Sequence, residues 1–252
     1  MNFAIIIQAR TSSKRYPKKI LAKIDGISIL EFLIERLLEY FHKNKILIAT
    51  TKLKKDNIIC NISRKKQIKF FRGSENDVLK RYLDCAKKFK IKNIVRITSD
   101  CPLVDPKLIK NMMRVYFSNN LDYYANTCPP TQNKFPDGSD IEIFNFKSLL
   151  IISKLSKNKA EKEHVTPIFW NKSEKFKIKK VYKKKNISNY KFSLDYKSDL
   201  ILIKTVLKEI NKNKIHGTAE EIVEIIKKNR YIREISKRNR KKYFNNRNDL
   251  KS

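Results

Sequence analysis

The sequence predicts an α/β protein built on a mostly parallel, doubly wound sheet. Three observations carry that reading. Short β-branched apolar runs alternate with amphipathic segments from residue 3 to about 118, the pattern of right-handed βαβ units with helices on both faces of a sheet. The chain has 252 residues, 41% of them hydrophobic, enough to fill one large core. No linker, repeat or low-complexity insert interrupts residues 1–226, which read as a single domain.

Phe3 to Ile7 is a short apolar run and reads as a buried strand. A loop follows, "QARTSSKRYPKK", in which Pro17 delays any helix. Ile29 to Phe41 carries Leu30, Leu33, Ile34, Leu37, Leu38 and Phe41 at helical spacing. "KILIAT" (Lys45 to Thr50) is the next strand, Lys54 to Arg64 a helix, and "IKFFRG" a strand ending at Gly73. Asn76 to Phe89 places Val78, Leu79, Tyr82, Leu83 and Ala86 on one helical face. "NIVRIT" (Asn93 to Thr98) is a strand, and Pro106 opens a helix at its favoured first position. Beyond residue 118 the texture changes. "DYYANT", "DIEIF", "KFKIKKVY" and "NYKFSLD" read as strands, with helices near Phe146 to Leu155 and Asp199 to Ile210. Lys227 to Ser252 has eleven basic and two acidic residues and reads as a basic tail, helical to about Lys242 and frayed after it.

Charge narrows the function classes. Lys and Arg number 58 against 25 Asp and Glu, a formal net charge of +33. Such a balance invites a nucleic-acid partner. The lysines, however, sit in nearly every segment, and only 4 glycines are present, so a compositional bias explains the excess without a dedicated polyanion surface. No nucleic acid is expected. Cys60, Cys85, Cys101 and Cys128 form no C-x-x-C pair, and only His42, His164 and His216 accompany them. Zinc is therefore not expected, and free thiols fit a reducing cytoplasm. The opening apolar run is too short for a signal peptide or a membrane span. The expectation is a cytoplasmic protein without membrane attachment.

In an open parallel sheet, ligands bind beyond the carboxyl ends of the strands. Three loops at that edge are informative. The first gathers Arg10, Lys14, Arg15, Lys18 and Lys19 with Thr11, Ser12 and Ser13, which is the chemistry of an anion cradle. A solvated basic turn is the plainer alternative. The second, "RITSDCPLVDP", puts Asp100 just past a strand, as a turn former or as a ligand for a hard cation. The third, "FSLDYKSDL", offers Asp195 in a similar place, with Asp199 opening the next helix as a cap. Two strand-ending aspartates on one sheet edge could share a metal, and one opposite a phosphate cradle suits a nucleoside triphosphate with Mg²⁺.

The segments "IIIQARTSSKRYPKKIL", "FFRGSENDVLKRY", "VRITSDCPLVDP", "DYYANT", "FPDGSDIEIF", "EKEHVTP" and "FSLDYKSDL" occur in that order. Together they resemble the cytidylyltransferases of the spore-coat-polysaccharide type, relatives of the acylneuraminate and 3-deoxy-manno-octulosonate cytidylyltransferases. The resemblance runs from Met1 to about residue 210. It implies a nucleotidyltransferase fold of the nucleotide-diphospho-sugar transferase type, CTP as donor, a small sugar acceptor such as a 2-keto sugar acid, Mg²⁺, and a homodimer. By the same resemblance, residues 1–118 form a nucleotide-binding half and 119–226 a sugar-binding half. Carried over by position, Arg10, Ser13, Arg15 and Lys19 match triphosphate contacts, with Arg10, Lys19 and Asp100 closest to the chemistry. Asp100 and Asp195 match metal ligands. Arg72, Asp77 and Arg81 lie in a stretch beside the nucleotide, and Asp137, Asp140, Glu142, Glu163 and His164 in segments on the sugar side. A lone histidine is as readily structural, so His164 stays open between the two roles. The family loop usually carries glycines where this chain has Ser12 and Lys18, and a Cβ there narrows backbone freedom.

Other readings remain at this stage. A glycosyltransferase using a nucleotide sugar would share the sheet, but the Asp137 to Asp140 pair lacks Asp-x-Asp spacing. An RNA-binding protein would want a Gly-rich, aromatic RNP-like segment, which is missing. A family member that has lost catalysis is the third reading, kept open by Ser12 and Lys18.

Overall fold

The structure is a computed structural model and describes residues 2–129 and 132–245. Strand β1 (Phe3–Gln8) is followed by a short hairpin of β2 (Lys23–Ile24) and β3 (Ile27–Ser28), then helix α1 (Ile29–Leu38). Ser28 and Glu31 form a reciprocal capping box at the start of α1. Next come β4 (Ile46–Thr51), α2 (Asn57–Lys65), β5 (Lys69–Gly73), α3 (Val78–Lys88), β6 (Asn93–Thr98) and α4 (Pro106–Ser118). The second half contains β7 (Tyr123–Ala125), β8 (Glu142–Asn145), α5 (Phe146–Leu155), α6 (Lys159–His164), α7 (Pro167–Asn171) and β9 (Ile178–Lys180). Helices α8 (Lys197–Asn213), α9 (Ala219–Lys228) and α10 (Arg230–Asn245) close the chain.

One seven-stranded sheet runs in the order β5-β4-β1-β6-β8-β7-β9. Only β8 is antiparallel to its neighbours. Side chains alternate across it. Ile5, Ile7, Ile46, Ile48, Val95 and Ile97 face a core made with α1, α2 and α4. Ala4, Ile6, Leu47, Ala49 and Ile94 face the opposite core, made with α3, α5 and α7. Both faces are covered, so the central strands β1 and β4 are nearly continuous apolar runs, buried along most of their length. A third cluster joins α8, α9 and α10 to Leu103, Phe192 and Leu194. The chain steps outward from β1 to β4 and β5, then returns to β6 on the other side of β1. Loops after β1 and β6 therefore flank the topological switch point, where α/β sheets open a crevice.

Two expectations need correction. The helix expected over Lys54 to Arg64 starts with a 3₁₀ turn, Lys54–Asp56, before α2. The segment "NYKFSLD" is not a strand; it makes a single parallel bridge, Asp137 with Lys191. Its amides go instead to two loops, Phe192 N to Asp137 O at 2.7 Å and Leu194 N to Asp100 O at 2.8 Å. Helix α10 runs to Asn245, and the frayed end expected after it lies outside the described residues. The four cysteines are free, three of them buried. Among the described residues no helix is long and apolar enough to cross a membrane.

Candidate active site

The loop after β1 is pinned from beneath. Asp56, fully buried at the start of α2, accepts from Thr11 N at 2.8 Å and Thr11 Oγ1 at 2.7 Å, and also from Thr51 Oγ1 at the end of β4. A buried carboxylate with several donors is satisfied, and here it ties the loop to the next strand. Lys18 then takes a left-handed backbone (φ 55°), which turns the chain into the 3₁₀ turn Lys19–Leu21. That turn aims the largely buried Lys19 back over the sheet edge.

Lys19 Nζ donates to Asp100 Oδ2 at 2.7 Å and to Asp195 Oδ1 at 3.0 Å. Two carboxylates 95 positions apart in sequence thus converge on one point. Arg15 Nη2 donates to the same Asp195 Oδ1 at 2.6 Å. On its far side Asp195 faces Lys191, at 3.3 Å from Oδ2. Burial works against ionisation of Asp195, but Lys19, Lys191 and Arg15 overcome it and hold the carboxyl well below its usual range. Asp100 behaves alike: burial opposes its charge and Lys19 more than restores it. Asp137 goes the other way. Burial, then the nearby Asp140, push it up to about 7. The Ser193 hydroxyl lies between Asp137 Oδ2 and Asp195 Oδ2, the latter at 3.2 Å. A hydroxyl has one proton to donate, so the arrangement is fully satisfied only when Asp137 carries a proton.

At the other end of the loop, Arg10 Nη2 donates to Glu163 Oε1 of α6 at 2.5 Å, and Ser12 Oγ to Glu75 Oε1 at 2.6 Å. Ser13 N donates to Thr11 O, 3.0 Å away. The structure thus joins Arg15, Lys19, Asp100 and Asp195 directly, with Asp137 reached through Ser193, and pairs Arg10 with Glu163 at the other end of the loop that also carries Ser13. Asp140 joins the Asp137 turn, accepting from Gly138 N at 2.8 Å. His164 is half-buried at the end of α6. Four other sequence candidates make their bonds elsewhere. Arg72 donates to Thr51 O and Leu53 O, bracing the chain after β4. Asp77 caps α3 through Lys80 N at 2.7 Å. Glu142 is buried against Arg96 Nη1 at 2.7 Å, an ion pair inside the sheet. Arg81 is buried, and its Nη1 donates to Ser74 O at 2.8 Å. Burial pulls its basicity down, and the charge of Arg10 adds to that.

The model of the cytidylyltransferase family matches residues 4–247. The chain belongs to the cytidylyltransferase family. This enzyme is 39% identical over 173 residues to an uncharacterised protein of Methanocaldococcus jannaschii, covering 69% of each chain. It is 27% identical to the spore coat polysaccharide biosynthesis protein SpsF of Bacillus subtilis, covering 89% of this chain and 93% of that one. A solved cytidylyltransferase from Leptospira borgpetersenii superposes with a TM-score of 0.85 at 33% identity, over 92% and 96% of the two chains. A synthetase of CMP and 2-keto-3-deoxy-manno-octonic acid, solved with CTP, shares the fold at a TM-score of 0.61 and 13% identity, over 83% and 99%. The enzyme is accordingly a nucleotidyltransferase with the nucleotidyltransferase-type sheet.

Asp100 and Asp195 are the residues of this cytidylyltransferase that could hold a hard divalent cation. Both are held ionised, and both already bind one cation, the Lys19 ammonium. Among the described residues no group of three or more His, Cys, Asp or Glu side chains is arranged to hold a metal ion. Sequence reasoning missed Asp56, Lys191 and Ser193. Asp56 reads there as one more surface charge after "KLKK", and Lys191 as one lysine in a lysine-rich chain; neither carries a local signal. Ser193 lies two residues before Asp195, on the same side of the extended segment.

Proposed function

We propose that this enzyme transfers CMP from CTP to a sugar acceptor, a 2-keto sugar acid, giving a CMP-sugar and pyrophosphate for surface glycan synthesis. The observation that supports it most is the convergence of Arg15, Lys19, Asp100 and Asp195 on one point beside the switch of the sheet. The names of two relatives point the same way, SpsF by its polysaccharide and the octonic acid synthetase by its CTP.

In this reading Arg10, Arg15 and Lys19 hold the phosphates and offset charge on the departing pyrophosphate, each by charge-assisted hydrogen bonds. In the structure their charges are met by Glu163, Asp195 and Asp100. Phosphate oxygens would take the place of the Glu163 carboxylate at Arg10. Asp100 and Asp195 would hold Mg²⁺, which supplies neutralisation of phosphate charge when bound. Asp137, Asp140, Glu163 and His164 face the acceptor side. The work asked of the protein is positioning and charge stabilisation, with no covalent intermediate. Calorimetry with the four nucleoside triphosphates and Mg²⁺, followed by pyrophosphate release against a set of sugar acids, tests this. Tighter binding of CTP and release only with a keto sugar acid are expected; equal affinity for all four triphosphates overturns the donor assignment.

A further inference from the structure

The basic C-terminal segment does not lie free of the fold. Helix α10 packs on α8 and α9, and its buried face changes character along its length. Ile232 and Ile235 are buried in the third apolar cluster. One turn later the inward residues are Ser236 and Asn239, also buried, and then Tyr243, half-buried. Positions 232, 235, 236, 239 and 243 share one helical face. Polar side chains on a core-facing stripe are unfavourable unless bonded, and here every bond leads toward the active site.

Ser236 Oγ accepts from Lys191 N at 3.1 Å. Asn239 Nδ2 donates to Asp199 Oδ1 and to Ser198 Oγ, both at 2.8 Å. Asp199 Oδ2 accepts from Asp195 N and Tyr196 N at 2.8 Å, and from Lys191 Nζ at 2.8 Å. Lys191 Nζ, fully buried, also donates to Ser193 O at 2.5 Å and faces the Asp195 carboxylate. Tyr243 lies under the Arg15 guanidinium at 5.1 Å and near Lys191 Nζ at 5.7 Å. The backbone of Asp195, its carboxylate, and its partner Arg15 are each held by groups that α10 fixes.

We propose that helix α10 is a working part of the active site, with Ser236, Asn239 and Tyr243 as positioning residues that set Asp195 and Arg15 through Lys191 and Asp199. The inference rests on the reading of Asp195 and Arg15 as phosphate-side and metal-side groups. A purely structural helix would keep its apolar stripe, as it does at Ile232 and Ile235. The stripe turns polar where it passes the segment that carries Asp195.

Asn239→Leu keeps the branched outline of the side chain and removes the donor to Asp199. Partners of this kind change metal affinity or turnover by roughly 10–100-fold. On the folded fraction, kcat for pyrophosphate release should fall about tenfold while KM for CTP moves less than about threefold. Mn²⁺ binding in the presence of CTP, read by electron paramagnetic resonance, should weaken about tenfold as well. Tyr243→Leu, near the end of the helix, tests the same idea where folding is not at stake; there KM for CTP should rise at least about threefold through Arg15. Wild-type kcat, KM and Mn²⁺ binding in both variants overturn the proposal. If the unsubstituted protein itself binds neither CTP nor Mn²⁺, the reading of the site falls, and this inference with it.

Discussion

A lysine stands at a left-handed position in the opening loop. Lys18 has φ 55° and ψ 24°, a region that costs a residue with a Cβ about 1–2 kcal/mol. Glycine, having no Cβ, adopts that region without the penalty. Lys18→Gly should relieve that strain, less the roughly 0.5–1 kcal/mol of extra chain entropy that glycine brings to the unfolded state. A net gain of about 0.5 kcal/mol in urea unfolding is expected; a loss would mean the lysine side chain stabilises the loop. Asp137 yields a second test. Its folded pKa, about 7, lies above the ordinary value near 3.9. Folding therefore favours the protonated form, and this contribution is complete below about pH 4 and lost as pH rises through about 7. Asp137→Asn keeps the shape and removes the titration. Its melting temperature should gain on wild type between about pH 4 and about pH 7 and level off above that; an offset constant with pH would mean that Asp137 titrates normally. At this scale the site was partly legible. Arg10, Lys19, Asp100 and Asp195 stand out because chemistry and position coincide. Asp56 and Lys191 do not, since only the fold shows what a buried charge is paired with.

The elements were legible where burial on both faces left an uninterrupted apolar run. β1 and β4 each carry one, and the alternation of their side chains between two cores follows from the pleat. "NYKFSLD" misled for a related reason. Phe192 and Leu194 alternate with polar neighbours as in a strand, and the segment is extended, but its amides reach the Asp137 turn and the Asp100 loop. Alternation reports an extended chain facing a core and not its hydrogen-bond partner. The polar stripe of α10 was illegible because serine and asparagine look like surface residues in a basic helix. The Asp137 turn meets this extended segment at Gly138, where φ is +94° and an added Cβ would lie 2.2 Å from Ser193 N. That neighbour is backbone and cannot swing aside. Gly138→Ala should therefore cost about 2–3 kcal/mol, from overpacking and a disfavoured φ together. Because it separates the turn from residues 192–195, it should also lower activity more than stability alone explains. Unfolding curves and turnover within experimental error of wild type would show that the two segments are not held together.

The molecule as a whole carries 33 more cations than anions. The 25 acidic side chains can neutralise at most 25 of the 58 cationic charges, so a large positive excess remains however the pairs are arranged. The cations are spread over most segments, so the folded state gathers like charges that the unfolded chain keeps further apart. Screening should then stabilise the fold, although it weakens the ion pairs that exist. The surface pairs lose little, since each contributes about 0–1 kcal/mol to begin with. The pairs at the active site are buried or half-buried and are screened least. Raising NaCl from about 0.1 M to about 1 M shortens the screening length from about 10 Å to about 3 Å, which removes repulsion between neighbouring lysines on one helix face. The melting temperature should rise, by roughly 2–4 °C for each kcal/mol of repulsion relieved in a chain of this size. Chloride is preferred to sulfate or phosphate for this measurement, because a divalent oxyanion could occupy the Arg10 to Lys19 loop and stabilise by binding. A fall in melting temperature with NaCl would mean that attractive pairs outweigh the excess charge. The even spread of lysines would then conceal a network of paired charges holding the fold together.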